Sequence, residues 1–125
     1  MSKKNLDKKH SQRWHFKWKL KERYGIFCNK DVYFYLLDQV KQGKSECLLK
    51  QSNTRILHKA FLPVVMCNHP QTRLTVATEN DMVKIYVVYD ASRGEFCTAL
   101  PWYKTDGECL DDYESNHKYV RWESE

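Results

Sequence analysis

The sequence predicts an α+β domain, with one or two N-terminal helices packed on one face of a curved, mostly antiparallel sheet of four to five strands. Three observations lead there. Apolar stripes of helical period occupy the first third of the chain. Short β-branched and aromatic runs, separated by turn residues, follow from about residue 46. A chain of 125 residues with 42% hydrophobic content suits one packed domain.

Residues 1–12 are polar and read as a flexible basic arm, leaving 13–125 as the domain. The run "RWHFKWKLKERYGIFC" at 13–28 alternates, which is a strand signal with Trp14, Phe16, Trp18 and Leu20 on one face. Against it, Leu20, Lys21, Glu22 and Arg23 are good helix formers and Gly25 is a stop. Phe16, Leu20 and Tyr24 also fall at i, i+4 and i+8, so a helix is expected; a strand there would add one to the sheet. In "NKDVYFYLLDQVKQGK", Asn29 is the N-cap, Asp31 complements the first turn, and Val32, Leu36 and Val40 form the buried stripe. Gly43 ends that second helix.

The period then changes. "ECLLKQ" reads as a strand and Ser52-Asn53 as a turn. "TRILHKAFLPVVM" reads as a strand in which Pro63 marks a bulge, an edge or a break. After the loop "CNHPQTR" come the strands "RLTVAT" and "MVKIYVVYD", joined by the corner "ENDM". The turn "DASRGE" then makes a hairpin of Val83–Asp90 with Phe96–Trp102. The acidic tail from about residue 104 carries Tyr113, Tyr119 and Trp122, which mark it as docked.

Charge is polarised along the chain. Residues 1–23 hold nine Lys and Arg against Asp7 and Glu22, whereas 104–125 hold three basic residues against seven acidic ones. A basic head favours RNA or another polyanion as partner; the acidic tail, mimicking nucleic acid, would fit a basic groove on a host protein. The apolar runs fall far short of the roughly 20 residues that span a bilayer, and no apolar h-region follows the basic start, so no membrane partner is expected. Five cysteines, an odd number without C-x-x-C, suit reduced thiols in the cytoplasm.

Chemistry-bearing motifs are sparse. No Walker A loop, G-x-G-x-x-G, G-x-S-x-G or H-E-x-x-H occurs, and no cofactor is expected. Cys67 and His69 lack a matching second pair, so no metal site is expected, and a Cys–His nucleophile has no positive support. Glu108, Asp111, Asp112 and Glu114 read as a solvated acidic face.

His15, then Lys-Glu-Arg-Tyr-Gly-Ile at 21–26, a capped helix, Thr-Arg-Ile-Leu at 54–57, Ile-Tyr-Val-Val-Tyr-Asp at 85–90 and Phe-Cys-Thr-Ala-Leu-Pro at 96–101 form a pattern. Over about residues 13–102 it resembles the RelE-like class of small ribonuclease toxins, which includes the colicin D and BrnT-like ribonucleases. The resemblance implies N-terminal helices before a curved four-stranded antiparallel sheet, and metal-independent RNA cleavage by attack of a 2′-OH on the adjacent phosphorus. It assigns His15 as base or acid, Arg23 and Arg55 to the phosphate, His58 to the following strand, and Thr98 to orienting a phosphate or base. Arg55 and His58 are three apart, however, and face opposite sides of an unbulged strand. The stretch 63–82 and the acidic tail are additions to the pattern.

Beside that resemblance, Trp14 among Arg13, Lys17, Lys19 and Lys21 is the composition of a nucleic-acid surface: rings stack on bases while cations meet phosphates. Two functions are therefore expected to compete. One is an RNA-binding protein with endoribonuclease activity. The other is a non-catalytic phage or mobile-element protein that docks on a host macromolecule through its basic head or acidic tail.

Overall fold

The computed structural model describes residues 2–67, 77–78 and 81–123, with side chains for 11–67 and 81–115. In chain order the elements are α1 (Ser2–Tyr24), α2 (Lys30–Lys41), β1 (Glu46–Lys50), β2 (Arg55–Pro63), a 3-10 turn (Val64–Met66), β3 (Ala77–Thr78), β4 (Met82–Asp90), β5 (Glu95–Ala99) and α3 (Asp106–Glu123).

The opening run is a helix. At 100° per residue, Phe16, Leu20 and Tyr24 share one side and are buried, while Trp14 and Trp18 fall on the other and are exposed. The alternation in sequence is thus two helical stripes, not two strand faces. The backbone helix begins at Ser2, so residues 2–12, expected as a loose arm, continue it. Gly25, at φ 69°, ends it in the left-handed region that costs other residues a Cβ clash.

α2 is closed at both ends. The Asn29 side-chain oxygen accepts the Val32 N–H at 2.9 Å. At the other end Gly43 takes φ 70°, its N–H reaches the Val40 carbonyl, and the Lys44 N–H reaches the Gln39 carbonyl at 2.9 Å, a Schellman turn.

The sheet is antiparallel in the order β1-β2-β4, and the far edge of β4 is shared by two short strands. β3 pairs with Met82 and Val83, and β5 pairs with Val87 to Asp90. β2 and β4 run together for their full lengths, from Arg55 opposite Asp90 to Pro63 opposite Met82. Pro63 is the last residue of β2, where its missing N–H does least harm. In the split between β3 and β5, the buried N–H of Tyr86 donates to the phenol oxygen of Tyr24 at 3.1 Å.

β4 is buried on both faces, and this determines the layering. Val83, Ile85 and Val87 pack with Ala60, Leu62 and Phe96 beneath Phe16 and Leu20 of α1 and Val32 and Leu36 of α2. Tyr86 and Val88 face the other way and join Leu57, Leu100, Cys109 and Tyr113 in a second core. α3 supplies Cys109 and Tyr113, so helices cover both faces, whereas the sequence pointed to one. A central strand with apolar side chains on both faces, here Ile85 and Val87 on one and Tyr86 and Val88 on the other, must be covered twice. Tyr119, Trp122 and the Asn68-His69-Pro70 loop lie outside the described side chains.

Candidate nucleic-acid interface

The outward side of α1 is built as three stripes. Trp14 and Trp18 form the middle one, 63% and 49% exposed. Their rings are parallel within 10°, with centroids 5.8 Å apart. That separation is too small for a base to slide between them, which needs roughly 7 Å, twice the carbon–carbon contact distance. Bases can therefore stack only on the outer faces of the pair. The helical period puts Lys17 and Lys21 on one flank and His15, Lys19 and Arg23 on the other.

These cations are not equivalent. Lys21 is exposed. Lys17 is half-buried, and its charge favours the thiolate of Cys28. Lys19 pairs with Glu22 at 3.0 Å on the surface, a contact worth little that a phosphate can displace. Arg13 is engaged toward the core. Its guanidinium grips the buried Glu95 at 2.8 and 3.1 Å and lies over the rings of Tyr33 and Phe34. Tyr33 donates its hydroxyl to the same carboxylate. Arg13 therefore holds α1, α2 and β5 together, leaving little of it for a ligand.

The five residues singled out for catalysis fall on separate surfaces. His15 and Arg23 share the α1 flank. His15 is held below its usual pKa by burial first, then by the charges of Lys19 and Arg23. Arg23 donates to the Ala99 carbonyl at 2.8 Å, at the end of β5. His58 is on β2, two strands from β5, buried on the α1/α2 side, with Ser45 Oγ 3.0 Å from its Nδ1. Burial holds its pKa down as well. Arg55 is exposed, and its charge acts on Cys97 and Tyr113, on the α3 side. Thr98 is in register with Val88, which faces α3.

Four of the five thiols, buried or partly buried, are poor nucleophiles. Burial pushes Cys28 and Cys109 up to about 12 and Cys67 and Cys97 up to about 11, so all four stay protonated at neutral pH. Among the described residues, no three of His, Cys, Asp and Glu gather to hold a metal ion.

One polar cluster escaped sequence reasoning. Asp106, at the start of α3, accepts from Lys59 at 2.8 Å and from the Tyr86 hydroxyl at 2.9 Å. Lys59 also pairs with Glu46 at 3.3 Å. Burial raises the Asp106 pKa, but Lys59 and Tyr86 outweigh it and the carboxyl sits below its usual value. Lys84 lies close by, 5.0 Å from the Tyr86 ring and 5.1 Å from the Trp102 ring. Desolvation lowers its pKa. The alternation of "MVKIYVVYD" does place Lys84 and Tyr86 on one face, but nothing in the sequence pairs them with residue 106.

No known family model, curated protein or solved structure matches this chain. No described helix is long and apolar enough to cross a membrane.

Proposed function

We propose that this chain binds single-stranded RNA along the outer side of α1. The observation that carries the reading is the Trp14–Trp18 pair, two large parallel, stacked rings left in water between two basic flanks. Exposing this much aromatic surface is unfavourable unless a partner covers it. A flexible strand has what fits, with bases to stack on the outer ring faces and phosphates to meet Lys17, Lys21, Lys19 and His15. A duplex, whose bases are already stacked, cannot use the rings. The test is fluorescence anisotropy with labelled single-stranded and duplex RNA across a salt series. Preference for the single strand, lost in Trp14→Ala/Trp18→Ala, supports the reading; equal binding of both RNAs, or full binding by the variant, overturns it.

One observation favours a second reading, metal-independent cleavage of the bound strand in the RelE-like manner. The lowered pKa of His15 keeps its imidazole neutral near pH 7, with Lys19 and Arg23 on the same flank. A neutral imidazole can take the 2′-OH proton as that oxygen bonds to the adjacent phosphorus; the P–O5′ bond breaks to leave a 2′,3′-cyclic phosphate, the 5′-oxygen takes a proton from water, and the cations meet the charge growing on the phosphate. Incubation with RNA in EDTA decides it. Cleavage by the wild type that His15→Ala abolishes supports the reading, and intact RNA at high protein excess ends it.

A further inference from the structure

We infer that the cavity at the C-terminal end of α2 is a nucleotide site with a preference for guanine. The cavity measures about 370 Å³, within the range of small-ligand sites. Tyr35, Asp38 and Gln42 fall at i, i+3 and i+7, so one stripe of α2 forms a wall. Phe61 of β2 and Met82 of β4 contribute apolar lining.

The walls are held apart by a pair of hydrogen bonds between helix and strand. Gln39 uses both ends of its amide on the backbone of Phe61, its oxygen accepting the N–H at 2.9 Å and its nitrogen donating to the carbonyl at 2.7 Å. Helix and strand are thereby fixed at the spacing that makes the cavity. The Schellman turn at Gly43 then reverses the chain and brings Lys44 into the lining. Preorganisation of this kind lowers the ordering cost of binding.

The polar groups are a matched set. Tyr35 is 37% exposed and offers a ring face for stacking. The Asp38 carboxylate has only acceptors, which suits two neighbouring donors. Guanine presents such a pair in N1–H and the 2-amino group, whereas adenine presents an acceptor at N1. The Gln42 amide can donate to the guanine 6-oxo group, and the Lys44 ammonium can meet a phosphate. Asp38, Gln42 and Lys44 have no side-chain hydrogen bond or ion pair among the described residues. The site stands independently of the α1 reading, since it uses no residue of α1.

The test is a titration of the full chain with 5′-GMP, 5′-AMP and ribose 5-phosphate, followed by ¹H–¹⁵N correlation spectra. GMP is expected to shift the Gln42 side-chain amide and the Lys44 backbone amide saturably, with AMP at least about fivefold weaker. Asp38→Asn, which turns one acceptor into a donor, is expected to reverse the order in favour of AMP. Trp14→Ala/Trp18→Ala is expected to leave the GMP response unchanged, which separates this site from α1. Absence of saturable shifts up to about 10 mM GMP, a concentration beyond the millimolar limit of useful affinity, overturns the inference. Equal responses to GMP and ribose 5-phosphate overturn it too, because the base would then contribute nothing.

Discussion

Arg13 and Glu95, 82 positions apart, meet in a two-pronged ion pair at 2.8 and 3.1 Å that fastens the middle of α1 to the start of β5. Glu95 is 4% exposed, and its carboxylate also accepts the Tyr33 hydroxyl. Removing the guanidinium takes from this buried carboxylate its charged partner. Arg13→Ala is expected to lower stability by about 3 kcal/mol in urea denaturation, and Arg13→Ala with Glu95→Gln by clearly less than the sum of the singles. Additive losses would mean that the pair contributes no coupling.

Tyr24→Phe removes one oxygen and leaves the buried Tyr86 N–H without an acceptor in the split edge of the sheet. A loss of about 1–3 kcal/mol is expected, measured by chemical denaturation. A loss near zero would show that water satisfies the N–H instead.

Trp14→Ala and Trp18→Ala are expected to weaken single-stranded RNA binding by about 1–3 kcal/mol each, the range for lost base stacking, while changing stability by no more than about 0.5 kcal/mol. Lys21→Ala is expected to weaken binding and to lower the slope of log affinity against log salt by about 0.7, the value for one phosphate contact on a single strand. Loss of binding with an unchanged salt slope would remove Lys21 from the phosphate contacts.

His58 gives the fold a pH dependence whose sign follows from burial. Its folded pKa lies below the usual 6.5, so below that value the unfolded chain takes up more protons than the folded one. The His58 contribution is therefore complete above about pH 6.5 and is lost as pH falls through the lower folded value. The thermal midpoint should drop between pH 7 and 5, and His58→Gln should flatten that drop. An equally steep drop in the variant would place the titrating group elsewhere.

Much of this architecture is legible in the sequence because it rests on local signals. Asn29 and Gly43 bracket α2 through a cap and a left-handed turn, both chemistry of neighbouring residues. The β4–β5 hairpin is likewise announced by Gly94 and its flanking runs. The alternation of residues 13–20 misleads because helix and strand periods coincide over such a short span, and only burial distinguishes Trp18 from Leu20. The second layer was harder to see. That α3 covers the face of Tyr86 depends on contacts between residues 86 and 113, which no local pattern encodes. The same holds for the site. Trp14 stands out by composition, whereas Arg13 looks like its neighbours and is distinguished only by a carboxylate 82 residues away.

The packing of α1 on β5 has a consequence for how the chain is made. α1 leaves the ribosome well before β5, the strand on which it rests. Phe16 and Leu20 share a core with α2, made directly after them, but meet Phe96 only after the β4–β5 hairpin has been translated, so part of their apolar side waits uncovered until then. Contacts of such long sequence separation form slowly, and exposed apolar surface in the interval invites association. A nascent chain stalled before residue 95 would thus carry a helix that is basic on one side and incompletely covered on its apolar side.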